Sequence, residues 1–129
     1  MSAAAMNSKV SRASLWFGLL GGAIAWTIHF LSAYAVAEFG CVGKLGQRSY
    51  GNISLVAWLE LALTVAALLL AAAATAAAYR SHRRLLSSAE SAALEAECDT
   101  ARAGLYTSAI FTFVILFESI PIFFYMRSC

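Results

Sequence analysis

Three ionisable side chains sit inside otherwise apolar segments of this chain: His29, Glu60 and Glu118. An imidazole beside carboxyl groups can relay protons, contribute to a metal site or tie helices together by hydrogen bonds. An ionisable group left in hydrocarbon costs about 2.5–3.5 kcal/mol or more, so such a residue usually faces a partner, a cavity or a pathway. Counted from an outer edge near Glu38, Ile53 and Met126, the three lie nine, seven and eight residues in. At about 1.5 Å per helical residue those depths are about 14, 10 and 12 Å, compatible with one layer. The expected arrangement is an internal polar clasp, in which His29 bonds one carboxyl and the other is protonated. A proton path and a contact with a partner subunit are its rivals.

Metal and haem chemistry are not expected. The chain has no H-x-x-x-H, no E-x-x-H and no C-x-x-C, and one membrane histidine cannot supply both axial ligands of a bis-histidine haem. There is no Walker loop, no dinucleotide glycine pattern and no G-x-S-x-G, so the chain is not expected to be an enzyme or to hold a cofactor. Cys41 and Cys129 follow the first and third apolar segments, which places both on the outer side and predicts a disulfide between them. Cys98 falls in the loop on the other side.

The elements that must position these residues follow from composition. Of 129 residues 61% are hydrophobic and 12% charged, with a mean hydropathy of +0.74, whereas a soluble domain is about 25% charged. Three runs are long enough to cross a bilayer: Leu15 to Phe39, Ile53 to Tyr79 and Leu105 to Met126. The first is too long for the apolar core of a cleaved signal peptide. The prediction is one all-α membrane domain over residues 1–129, a bundle of three transmembrane helices at about 15–39, 53–79 and 88–126 after a polar tail at 1–13. Little chain remains for a soluble catalytic domain.

Within the first span, Gly18 and Gly22 form a GxxxG, and Gly21, Ala25, His29 and Ala33 recur every four residues beside it. Small residues admit a neighbouring helix, so His29 is expected on a packed face. Ser87 with Glu90 reads as a capping box, which starts the third helix near Ser88 and projects it into the cytoplasm. Pro121 is expected to kink that helix around Phe117 and Glu118.

Lys9, Arg12, Arg80, Arg83, Arg84 and Arg102 lie on one side of the predicted membrane, against Lys44, Arg48 and Arg127 on the other. The positive-inside rule then puts the N-terminus in the cytoplasm and the C-terminus outside. A net charge of +2 is too small to indicate nucleic acid, and the SHRR cluster reads as a topology and lipid-headgroup anchor.

The string GGAIAWTIHFLSAYAVAEFGC, with Gly22, Trp26, His29, Tyr34, Glu38 and Cys41, and the later IPIFFYMRSC, with Pro121 and Cys129, carry a resemblance. Together they resemble a group of small three-helix bacterial membrane proteins encoded beside haem-copper cytochrome c oxidases and related respiratory complexes. Many of those proteins carry Gly-Pro where this chain has Gly21-Gly22. The resemblance implies an accessory subunit in a bacterial inner membrane, packed against larger integral membrane subunits that hold the redox centres. The small-residue face of the first helix and the aromatic face of the third would be its docking surfaces. A proton- or ion-translocating protein using His29, Glu60 and Glu118, and an assembly factor for an oxidase, are the alternatives.

Overall fold

The computed structural model describes residues 10–87 and 92–125, and the side chains of 92–94, 122, 123 and 125 are left aside. Three helices dominate: α1 over Arg12–Val42, α2 over Leu55–Leu86 and α3 over Ala92–Tyr125. Each is long and apolar enough to cross a membrane. The chain is therefore read as a membrane protein.

Between α1 and α2 a short connection turns the chain back. Gly43 caps α1, its N–H bonding the Phe39 carbonyl at 2.8 Å, and a 3-10 turn over Leu45–Gln47 follows. Strands β1 (Ser49–Tyr50) and β2 (Ile53–Ser54) then pair antiparallel, with Tyr50 opposite Ile53. Gly51 sits at φ 67° in the two-residue turn, at the first central position, where hairpins favour glycine. Ser54 ends the hairpin and starts α2, its hydroxyl accepting from the Ala57 N–H at 3.2 Å.

The bundle is small inside and large outside. The buried stripe of α2 runs Val56, Glu60, Thr64, Ala67, Ala71, Ala74, Ala78, Ser81 and Leu85, steps of three and four that keep one helical face toward the bundle. Its partners on α1 are equally small. A Cβ on Gly18 would lie 2.9 Å from Ala78 Cβ, and one on Gly21 would lie 2.7 Å from Ala74 Cβ. Side chains such as Trp16, Leu31, Leu69, Phe113 and Phe117 point outward. Lipid solvates those side chains as well as a protein core would, so the helices are held by close contact and internal hydrogen bonds.

Gly18, Gly21, Gly22 and Ala25 are all buried between the helices of this one chain. The small-residue face of α1 is thus used up internally and is not a docking surface for another subunit. Backbones also come close where Gly104 of α3 meets Gly18 of α1: an added Cβ there would be 3.0 Å from the Gly18 carbonyl carbon. Four residues along α3, Ser108 donates to the Gly18 carbonyl at 2.6 Å.

Some features differ from the sequence expectation. α2 continues past Tyr79 to Leu86, because Arg80, Arg83 and Arg84 are good helix formers and the latter two complement the negative end of the helix dipole. Ser87 caps the end of α2, its hydroxyl donating to the Arg84 carbonyl at 2.8 Å. Glu90 and the expected start near Ser88 lie outside the described residues. Cys98 lies within α3, inside the helix expected over 88–126, with its sulfur 3.5 Å from His82 Nδ1 on α2. Pro121 falls inside α3, which is assigned without a break through it to Tyr125. The ring removes the N–H that would otherwise bond the Phe117 carbonyl.

Candidate functional site

His29 is 2% exposed, on the face of α1 turned toward α2. Its Nε2 is 3.0 Å from Thr64 Oγ1, and its Nδ1 has no hydrogen-bond partner among the described residues. Because a threonine hydroxyl both donates and accepts, the Thr64 contact accommodates either neutral tautomer. Thr64 in turn lies 3.4 Å from Ser119 Oγ on α3, whose proton is directed to the Ile115 carbonyl at 2.6 Å. One polar line therefore joins all three helices at the level of His29.

Glu118 bonds a different residue of α1. Its Oε2 accepts from the Trp26 indole N–H at 2.8 Å. The indole is fixed by Phe30, stacked at 5.8 Å and 25°, and by Phe111 at 5.5 Å. His29 and Glu118 both line a cavity of about 320 Å³ between α1 and α3, with Phe30, Ala33, Tyr34, Ala37 and Pro121 forming the rest of its wall.

Glu60 is fully buried one turn from Thr64 on α2, and neither carboxyl oxygen has a hydrogen-bond partner among the described residues. The three residues picked out by sequence consequently share a region but do not clasp one another. The hydrogen bond expected between His29 and a carboxyl is absent: Thr64 occupies Nε2, and Trp26 occupies Glu118. The physical reason is that Thr64, on the facing side of α2, already takes His29 Nε2, while the Glu118 carboxyl extends to the Trp26 indole.

Four polar partners escaped the sequence reading: Trp26, Thr64, Ser108 and Ser119. Two carried a signal. Thr64 stands one helical turn after Glu60, and Trp26 stands three residues before His29, so each shares a face with a residue already marked. Nothing in the sequence paired Ser108 with the Gly18 carbonyl. Among the described residues no group of three His, Cys, Asp or Glu side chains is arranged to hold a metal ion. Cys41 lies in the last turn of α1, and Cys129 lies outside the described residues.

The fold and site define a three-helix membrane bundle with a small-residue interior, a buried polar line and a lateral cavity. A scan against protein-family models, a search of curated proteins and a search of solved structures each found no match to this chain.

Proposed function

We propose that the chain is an accessory subunit of a larger membrane complex, without a redox centre of its own, and that the complex is a respiratory electron-transfer assembly of a bacterial inner membrane. The observation that supports docking is an outward groove of about 470 Å³ between α2 and α3, lined by Ala72, Thr75, Ala76, Tyr79, Leu105, Ala109 and Thr112. Thr75 and Thr112 bond the Ala71 and Ser108 carbonyls of their own helices at 2.9 and 2.7 Å, so neither hydroxyl proton is left seeking a ligand. What remains is a shallow trough floored by alanine and threonine methyl groups and edged by Tyr79 and Leu105, where small residues let a further transmembrane helix come close. The respiratory assignment rests on the sequence resemblance alone.

Orientation follows the basic residues. Arg12 at the start of α1, Arg80, Arg83 and Arg84 at the end of α2, and Arg102 near the start of α3 lie toward one end of the bundle. That end is assigned to the cytoplasm, with the start of α3 projecting beyond the membrane and the C-terminus outside. Cys41 and Cys129 then fall in an oxidising compartment as a disulfide partnership. Digestion without reductant is expected to yield a linked peptide pair containing both residues. Recovery of both as separately alkylated thiols would remove the bond from this proposal.

Docking is tested by purifying the tagged protein from native membranes in mild detergent and recording an optical spectrum. Larger subunits with haem bands are expected to accompany the wild type. Ala76→Phe with Ala109→Phe, which fills the trough from outside the bundle, is expected to lose at least half of them while keeping its helical signal. A colourless small oligomer from the wild type would sink the respiratory reading. Proton or ion translocation through His29, Glu60 and Glu118 would then lead.

A further inference from the structure

The groove between α2 and α3 is apolar along its length and cationic at one end. The two helices run antiparallel, with Thr64 beside Ser119 at one level and His82 beside Cys98 at another. Tyr79 therefore stands with Leu105 at one end of the groove, and Ala72 with Thr112 at the other. Tyr79 also closes the apolar run that begins at Ile53, so its end of the groove lies at the membrane interface. Within one turn beyond that end, residues 80–83 of α2 and 101–104 of α3 carry Arg80, Arg83 and Arg102 and no acidic residue. The Arg83 guanidinium is 5.9 Å from the Tyr79 ring centroid, a contact that keeps it over the mouth of the groove. Arg102 is exposed three residues before Leu105, on the same face of α3 by helical spacing.

Such a surface complements a ligand with a hydrocarbon tail and an anionic head. We infer that the groove binds one anionic phospholipid, its acyl chain along the alanine floor and its phosphate between Arg83 and Arg102. From Tyr79 to Ala72 the floor runs about 10 Å, against about 15 Å of hydrocarbon in one leaflet, so a single chain lies in it for most of its depth. Thr75 and Thr112 stay bonded to their own helices, and the floor makes no polar demand on that chain. Selectivity comes from the mouth. Guanidinium N–H groups donate to phosphate oxygens in pairs, and each arginine near an anionic surface strengthens attraction about fivefold. A zwitterionic lipid brings the same phosphate together with a cation of its own, which the arginines repel. In the free chain this lipid has the trough to itself. A partner helix seated there displaces its tail, and the headgroup clamp is independent of the docking reading.

The full chain, purified in dodecyl maltoside without added lipid, is titrated with dioleoyl phosphatidylglycerol or dioleoyl phosphatidylcholine and observed by native mass spectrometry. One phosphatidylglycerol per chain is expected, held about fivefold or more tighter than phosphatidylcholine. Arg83→Gln with Arg102→Gln should weaken phosphatidylglycerol binding about tenfold or more and erase the preference. Arg12→Gln, at the start of α1 and outside the groove, should change it by less than about twofold. Ala76→Phe with Ala109→Phe fills the trough and should lower the binding of both lipids. Equal retention of the two lipids by the wild type would overturn the inference, whether or not the variants fold. A preference that survives loss of both arginines would overturn it too, because the headgroup would then sit elsewhere. So would undiminished binding after the trough is filled, or a lipid-free dimer in which a second copy covers the groove. Failure here leaves the docking test intact, since that test reads haem-bearing partners and the trough, not Arg83 and Arg102.

Discussion

Replacing Gly22 with leucine is expected to cost about 3 kcal/mol or more of bundle stability, the upper range of an overpacking change. A Cβ at that position would lie 2.6 Å from Ser108 Cα and 3.0 Å from Ser108 Oγ. The first contact is with backbone, so no rotamer change relieves it and α3 must move away from α1. That movement also separates Gly104 from Gly18 and stretches the 2.6 Å bond from Ser108 to the Gly18 carbonyl. In a membrane bundle these losses are not offset by burying the new side chain, because leucine is equally at home in lipid. Reversible unfolding in mixed micelles with increasing dodecyl sulfate measures the effect. Ile24→Leu, at a half-exposed lipid-facing position, should shift the curve by less than about 0.5 kcal/mol. Ser108→Ala should fall between, near 0.6 kcal/mol, the average for an interhelical hydrogen bond in a membrane. Wild-type stability in Gly22→Leu would mean that α1 and α3 do not meet at this point.

How much of this was legible depended on whether a feature was written along one helix or between two. The three spans were plain, because an apolar run of bilayer length is a local signal. The small-residue stripe of α1 was equally plain, since Gly18, Gly21, Gly22, Ala25, His29 and Ala33 share a face by spacing alone. What lies opposite that stripe was not local. The same glycines suit a second subunit or a second helix of the same chain, and only the fold assigns them to Ala74, Ala78 and Ser108. The polar site divides in the same way. His29, Glu60 and Glu118 stood out as charge-bearing residues at similar depth, but depth says nothing of rotation about the helix axis. One turn is about 3.6 residues, so a placement uncertain by one residue swings a side chain by about 100°. That rotation separates a clasp from the observed arrangement, in which Thr64 takes His29 and Trp26 takes Glu118.

Glu60 leads to the second large expectation, of opposite sign. It is wholly buried, and both of its oxygens lack partners among the described residues. A buried polar group without hydrogen bonds costs about 1–3 kcal/mol in protein mutational series, and the surrounding stripe of alanine, valine and threonine cannot compensate it. Glu60→Leu, close in volume and free of polar atoms, is therefore expected to raise the unfolding free energy by about 1–3 kcal/mol in the same micelle assay. Glu60→Gln retains two polar groups at the same place and should gain less. Stabilisation would identify Glu60 as a residue held against the interest of the isolated bundle, as a proton-handling carboxyl requires. A loss of stability in both variants would instead give the carboxyl a structural bond in the membrane, most simply to water bridging toward Thr64, and would remove it from the proton-translocation reading. The wild-type glutamate and the two variants thus separate a functional burden from a structural one at a single buried position, without knowledge of the partner complex.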